Sequence, residues 1–280
     1  MKDKSNTISP HGSIQINISG GSSLDTVEMS PNKVLSDLSK TMKRSATVEK
    51  LDKFLSGYKR FHKNYFCENQ LLFKTLQTGQ APKTVLIGCC DSRVDPAIIT
   101  DCDPGDIFVV RNVANLVAPH KVDFGYHGTA SALEYAVRVL QVENIIILGH
   151  SHCGGIELLM QSDDAPEFEY LGHWMSMGKA AKDKTLRFYS DQPRDVQNRA
   201  CEKASILQSL ENCVSYPWIH EKLKDGSLSL TGWYFDFDTG KLLGYNSEKS
   251  TFESLDTDEC NIIDRIKDQA TRNSLSQPSQ

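Results

Sequence analysis

Two short segments of this chain hold residues with the chemistry of a reactive site. Gly88-Cys89-Cys90-Asp91-Ser92-Arg93 sets thiols beside a carboxylate and a guanidinium, and Gly149-His150-Ser151-His152-Cys153-Gly154-Gly155 carries a His-x-x-Cys. A thiolate from the first segment with His150 and Cys153 of the second makes two sulfurs and one nitrogen. That donor set suits zinc, whose catalytic sites take three protein ligands and leave the fourth position to water. Structural zinc sites normally close with four ligands, often from paired Cys-x-x-Cys knuckles, and no Cys-x-x-Cys occurs in the chain. Asp91 and Arg93 need their own account, because charges at a buried strand end are costly unless paired. As an ion pair they would pin the loop. The same pair would let Asp91 accept a hydrogen bond from water on the metal, with Arg93 keeping the carboxylate ionised and oriented.

The elements that position these segments can be read from apolar patterning. Thr84–Gly88 is a short β-rich run after Pro82, and Ile107–Val110 is another, introduced by the turn Asp103-Pro104-Gly105-Asp106. Asn144–Leu148 gives a third buried strand, and Leu228–Phe237 a fourth before the turn Asp238-Thr239-Gly240. Helical spacing appears at Val48, Leu51, Phe54, Leu55 and Tyr58, around Leu71, Leu72 and Leu76, and over 129–140 with Leu133, Val137 and Leu140 on one face. Further helices are expected over 196–211 and 213–224. Strands separated by helices predict an α/β fold with a mainly parallel sheet flanked by helices. Both chemical segments sit at carboxyl ends of strands, where such sheets collect functional groups.

The whole chain sets the frame. It has 280 residues, 39% hydrophobic and 24% charged, an ordinary globular composition with length enough for one sizeable domain with tails or for two small domains. The net charge of -5, with basic residues scattered, gives no footprint for nucleic acid or an acidic membrane. No apolar run approaches the roughly 20 residues of a membrane span. The eight cysteines are spread without a compact framework and no signal peptide precedes them, so they read as thiols or metal ligands in a reducing compartment. Residues 1–46 are expected to be a disordered tail, 47–246 the catalytic block, and 247–280 a polar extension whose Ile262, Ile263 and Ile266 suggest a docking helix. The tail carries acids early and its first Arg at Arg44, unlike a mitochondrial transit peptide. A cytoplasmic location is expected, with organellar targeting by the tail left open.

Cys89-Cys90-Asp91-Ser92-Arg93 with His150-Ser151-His152-Cys153 resembles the paired Cys-x-Asp-Ser-Arg and His-x-x-Cys signature of β-carbonic anhydrases. The likeness extends over 47–246: Gly79–Pro82, Phe108–Val117, Leu133–Val137 and Gly232–Asp236 are similar to the plant-type branch, the last to the family's final sheet strand. The resemblance implies a lyase carrying one zinc ion per chain, which hydrates carbon dioxide to bicarbonate and a proton by attack of zinc-bound hydroxide. By position it implies Cys89, His150 and Cys153 as zinc ligands and Asp91 with Arg93 as the catalytic dyad. Gln80, Phe108, Val113 and Tyr135 match the lining of the carbon dioxide pocket, with some groups supplied by a neighbouring subunit, and Gly154 matches the glycine whose N–H faces substrate. A homodimer or a multiple of dimers is implied. A hydrolase of carbon disulfide or carbonyl sulfide would share this zinc site, and a zinc-binding relative without catalysis would have no chemical reason to keep Asp91 and Arg93.

Three positions depart from the plant-type pattern. Cys90 stands where a small residue is usual, and strand alternation assigns the metal to Cys89, which shares a face with Asp91. His152 and His127 replace smaller residues, and each is a candidate proton shuttle because imidazole titrates near neutrality. No organic cofactor is expected. Some family members close the site at low pH, and some carry a second bicarbonate pocket with a tryptophan three residues before the first zinc Cys; Leu86 stands at that position here, which favours a constitutively open site.

Overall fold

A computed structural model describes residues 44–122, 125–162 and 168–255. They fall into two compact units, one ending at Gln77 and the other beginning at Thr78. Nearly all of the 1–46 tail and the run Ile262, Ile263, Ile266 lie outside the described residues.

The first unit holds the two helices that apolar spacing predicts. Helix α1 is Arg44–Phe61 and continues into a widened turn at His62–Phe66, followed by α2, Gln70–Leu76. Phe61 packs on Tyr65 and Phe73, and Phe66 meets Phe73 at a tilt with ring centres 4.5 Å apart, so aromatic contacts tie α2 to α1. The stripe Leu51, Phe54, Leu55, Tyr58 is more than half exposed.

The second unit begins with β1, Thr84–Cys89, then α3, Pro96–Thr100, and β2, Ile107–Asn112. Helix α4, Gly128–Glu134, runs on through a wide turn at Tyr135–Val139 into β3, Asn144–His150. Four helices follow: α5, Gly154–Gln161; α6, Leu171–Ser176; α7, Lys179–Tyr189; and α8, Arg194–Val214. Then come α9, Pro217–Lys224, and the strands β4, Ser229–Asp236, β5, Lys241–Asn246, and β6, Thr251–Ser254. The sheet order is β2-β1-β3-β4-β5-β6. The first four strands are parallel, and β5 and β6 return antiparallel.

The parallel core matches the expected α/β class, with two differences. Leu228–Phe237 is not the final strand: β5 and β6 extend the sheet as an antiparallel meander, and β6 lies in the stretch read as an extension. The helices expected over 196–211 and 213–224 are α8 and α9, broken at Ser215-Tyr216 because Pro217 pre-sets the first turn of α9 and cannot continue α8.

The strands β1 and β3 are buried along almost their whole length. On one face Val85, Ile87, Ile145 and Ile147 pack with Leu133, Val137, Ile206 and Ile219. On the other Leu86, Ile146 and Leu148 pack with Ile99, Trp233 and Leu242. Burial on both faces explains why these runs are continuously apolar rather than alternating. Because the chain passes from β1 to β2 on one side and then returns across β1 to β3, the order reverses between β1 and β3. Ligand sites of open α/β sheets form at that crevice, outside the carboxyl ends of the strands. Among the described residues no helix is long and apolar enough to cross a membrane.

Helix α8 lies close on β3 and β4 because two glycines make room for Ile206. A Cβ at Gly232 would stand 2.7 Å from Ile206 Cγ2 and 3.1 Å from Leu210 Cδ1, and one at Gly149 would stand 2.6 Å from Ile206 Cδ1. Ile206 is fully buried, so making room would require a shift within a packed core. Gly232→Ala is therefore expected to cost about 1–3 kcal/mol as an overpacking substitution. Urea unfolding checks this, and an unchanged midpoint would contradict the close seat of α8.

Candidate metal centre

The register brings the two chemical segments together. Gly88 pairs with Leu148, so Cys89 leaves β1 beside the last two residues of β3, Gly149 and His150. The candidate ligand atoms of Cys89, His150 and Cys153 all lie within 4.8 Å of one another. The two sulfurs are 3.9 Å apart, and all three side chains are buried. Cys90, one step along, faces out as alternation requires.

The surroundings fit a metal in both shape and charge. His150 Nδ1 is bonded to the Ser151 carbonyl at 2.9 Å, which fixes the ring with Nδ1 as donor. Its other nitrogen, Nε2, is buried without a protein hydrogen-bond partner and belongs to the cluster. The thiols do not share their protons equally. Cys89 is pulled well down by its bond with Cys153, against the cost of burial, and His150 adds to the pull. Cys153 is pushed up by the same bond with Cys89 and by burial, while the amides of Ile156 and Gly155 at the start of α5 act in the opposite sense. The two buried sulfurs, 3.9 Å apart, lie where a divalent cation would replace thiol protons, the usual exchange when thiolate sites load. The donor set is the two-sulfur, one-nitrogen type that suits zinc with one position left open.

Asp91 and Arg93 stand beside this cluster as a bidentate pair. Arg93 Nε donates to Asp91 Oδ1 at 2.9 Å and an Arg93 terminal nitrogen donates to Oδ2 at 2.6 Å. The Arg93 backbone N–H adds a third bond to Oδ1 at 3.0 Å. The Arg93 side chain beside it holds the Asp91 carboxyl well below the usual carboxylate range. Arg93 also donates to the His152 carbonyl at 2.9 Å and lies over the Phe237 ring at 4.9 Å. The pair thus locks the 89–93 loop onto the 150–153 loop, as the anchoring reading requires, and keeps Asp91 acceptor-only.

The other expected site residues separate into two groups. Val113 packs into the apolar cluster that holds Cys89 and Cys153. It opens a tight turn in which Ala114 and Asn115 both have positive φ, held by Asn112 bridging to the Leu116 N–H and C=O and by Trp174 donating to the Val113 carbonyl at 2.8 Å. Gly154, exposed, begins α5 directly after Cys153. Gln80, Phe108 and Tyr135 are not brought to this cluster within one chain. Phe108 pairs with Val85, four residues before Cys89, or about 13 Å along the strand. Tyr135 stays with Phe108, rings 5.9 Å apart, and Gln80 precedes β1 altogether. His152 is exposed, its ring bonded to Asp238 at 2.8 Å and contacted by Arg199. His127 is exposed at the start of α4.

Two further groups hold this centre, and neither belongs to the two chemical segments. Arg111 on β2 donates to the Cys89 carbonyl at 2.9 Å, to the Asp91 carbonyl at 2.7 Å and to Asp95 at 3.0 Å, so it holds the first loop from behind. Its signal was a cation inside a strand run. Glu202 on α8 reaches the Cys153 N–H, and nothing near it in the chain foretells that.

A mainly parallel α/β sheet with a buried Cys-His-Cys cluster at its reversal point makes this an α/β protein with a candidate metal centre. The carbonic anhydrase family profile matches residues 84–242. The chain is 42% identical over 195 residues to β carbonic anhydrase 5, chloroplastic, of Arabidopsis thaliana, covering 69% of this chain and 64% of that protein. It thus spans somewhat less than two thirds of that relative's length. The solved β-carbonic anhydrase CcaA superposes with a TM-score of 0.70 at 33% identity, covering 73% of this chain and 99% of that one. One of two tetrameric β-carbonic anhydrases from Sordaria macrospora superposes with a TM-score of 0.63 at 27% identity, covering 70% and 96%. This chain belongs to the β-carbonic anhydrase family.

Proposed function

We propose that this chain interconverts carbon dioxide and bicarbonate, with one zinc ion per chain held by Cys89, His150 and Cys153. The observation that carries the reading is the buried Cys-His-Cys set, its ligand atoms within 4.8 Å of one another and His150 Nε2 without another partner. Zinc in such a site lowers the pKa of water in its open position to about 7 and so supplies a nucleophile at neutral pH. Asp91, kept ionised by Arg93, would accept a hydrogen bond from water on the metal and so orient it. Arg93 holds Asp91 in place and balances its charge. Its pairing with Asp91 supports the open form of the site. Val113 contributes an apolar wall for a small apolar substrate, and the Gly154 N–H lies at the start of α5, where amides lack helical partners. His152 and His127 are both exposed, as a group that hands protons to bulk buffer must be.

Gln80, Phe108 and Tyr135 complete the pocket in this reading from a second copy of the chain, because their own chain keeps Phe108 about 13 Å along the sheet from Cys89. The exposed stripe on α1 gives that copy an apolar surface to cover. A dimer or a multiple of dimers follows, closed symmetry being the usual form of homo-oligomers. Sedimentation of an active monomer at assay concentration would sink this part of the proposal. A reducing compartment, the cytoplasm among them, is proposed from eight cysteines spread along the sequence without a compact framework.

Stopped-flow hydration of carbon dioxide, run beside hydrolysis assays on carbon disulfide and carbonyl sulfide, tests the substrate. Fast hydration with negligible hydrolysis is expected. Hydrolysis without hydration would move the chain to the related sulfide-cleaving reaction.

A further inference from the structure

Glu202 is a carboxylate in the middle of α8, only 3% exposed. Burying such a group is costly unless its oxygens are bonded. They are. One oxygen accepts from the Cys153 backbone N–H at 3.1 Å, the other accepts from the Tyr234 hydroxyl at 2.7 Å, and Arg199 stands 3.6 Å from the second oxygen. Cys153 is the candidate ligand at the loop end just before α5, and among the described residues its amide makes no backbone hydrogen bond. A side chain 49 positions away supplies one.

The same helix holds the loop a second time. Arg199, one turn before Glu202, bonds to Asp238 and contacts the His152 ring, and Asp238 is itself bonded to that ring. The His152 carbonyl accepts from Arg93, which grips Asp91. A continuous run of ionic and hydrogen bonds thus leads from Glu202, behind Cys153, round the 150–153 loop to the Asp91–Arg93 pair. On the sheet side the loop is fastened by the Ser151 N–H donating to the Phe235 carbonyl at 2.9 Å and the Phe237 N–H donating to Ser151 Oγ at 2.7 Å. The seat of α8 on Gly149 and Gly232 fixes the distance, since Ile206 lies one helical turn after Glu202.

We propose that Glu202 is a positioning residue for the metal centre: by holding the Cys153 amide against α8, with Tyr234 and Arg199 as its supports, it sets the Cys153 sulfur where the metal requires it. This rests on the zinc reading above. Outer partners of metal ligands change affinity by about 10–100-fold when removed.

The test measures zinc affinity of the full-length chain by competition with a chromophoric chelator, with the thiolate-to-cobalt absorption of the cobalt-loaded protein as a second readout. Glu202→Ala is expected to weaken zinc binding by about 10–100-fold and to shift the cobalt band. Glu202→Gln should recover part of the loss, because an amide oxygen still accepts from the Cys153 N–H. Ile219→Ala, a core substitution on α9 with no bond to the metal loop, should lower thermal stability and leave both readouts unchanged. If Glu202→Ala does not fold, Tyr234→Phe stands in: it removes one support of the carboxylate and should weaken binding by less, in the same direction. Wild-type affinity and an unshifted cobalt band in Glu202→Ala, or in Tyr234→Phe where that is the folded variant, overturn the proposal. Equal losses in Ile219→Ala also overturn it, since they would make the effect one of general stability. A wild-type chain that takes up no zinc overturns the metal reading itself and this inference with it.

Discussion

Cys89→Ser is expected to leave a folded chain that no longer retains zinc and no longer hydrates carbon dioxide above the buffer rate. A serine hydroxyl does not ionise near neutral pH, whereas Cys89 is held toward thiolate by Cys153 and His150. The remaining His150 and Cys153 are two ligands where a catalytic site uses three. Hydration should fall by more than about a thousandfold, since enzymes typically accelerate their reactions 10⁶-fold or more and this change removes the source of the nucleophile. Cys90→Ser is the matched control. That thiol is exposed and faces away from the cluster, so zinc content and rate should stay near the wild-type values. Elemental analysis and stopped-flow rates on both variants decide the matter. Metal loss in Cys90→Ser with retention in Cys89→Ser would show that the wrong neighbour has been assigned.

The second large effect is expected at Asp91. In Asp91→Asn the amide presents an N–H₂ donor where an acceptor is needed and cannot balance Arg93, whose guanidinium now makes two bonds to the carboxylate. Zinc should be retained, because Asp91 is not among the three ligands. The hydration rate should fall about 10–100-fold, the scale for a group that orients what the metal binds. The loop will also loosen, since Asp91 accepts three bonds from Arg93. The two roles separate on one preparation by zinc content, thermal unfolding and rate. Normal turnover in a fully metallated but less stable variant would reduce Asp91 to a loop anchor.

Which parts of this protein could be read from its residues follows from how local each signal is. The strands β1 to β4 announce themselves as apolar runs because β1 and β3 are buried on both faces. The two ligand segments are legible for the same reason, since polar residues directly after such runs must lie at a strand end. The choice of Cys89 over Cys90 needed only the alternation of a strand. By contrast, β5 and β6 are short and half-exposed, and β5 carries Lys, Gly and Asn, so they look like turns until β5 pairs with β4 and β6 with β5. Glu202 shows the limit most plainly. In sequence it is one charge among Lys203 and Arg199 and reads as solvated helix surface. In the fold it lies on the buried stripe Cys201, Ser205, Ile206, Ser209 and Cys213, and only that stripe, whose small residues mark it as core-facing, could have signalled a buried carboxylate. Phe108 and Tyr135 show the converse. They read as core. Within one chain Phe108 is half-buried about 13 Å along the sheet from Cys89, and Tyr135, beside it, is exposed. Their expected role requires a second copy, which no local pattern encodes.

The most direct measurement is a zinc titration of the metal-stripped full-length chain with carbon dioxide hydration recorded at each addition. Activity should rise in proportion to added zinc and level off at about one equivalent per chain, with no rise in the Cys89→Ser variant. Hydration that is already present without metal, or a saturated zinc site that yields none, would contradict the assignment of Cys89, His150 and Cys153 as the centre of this enzyme.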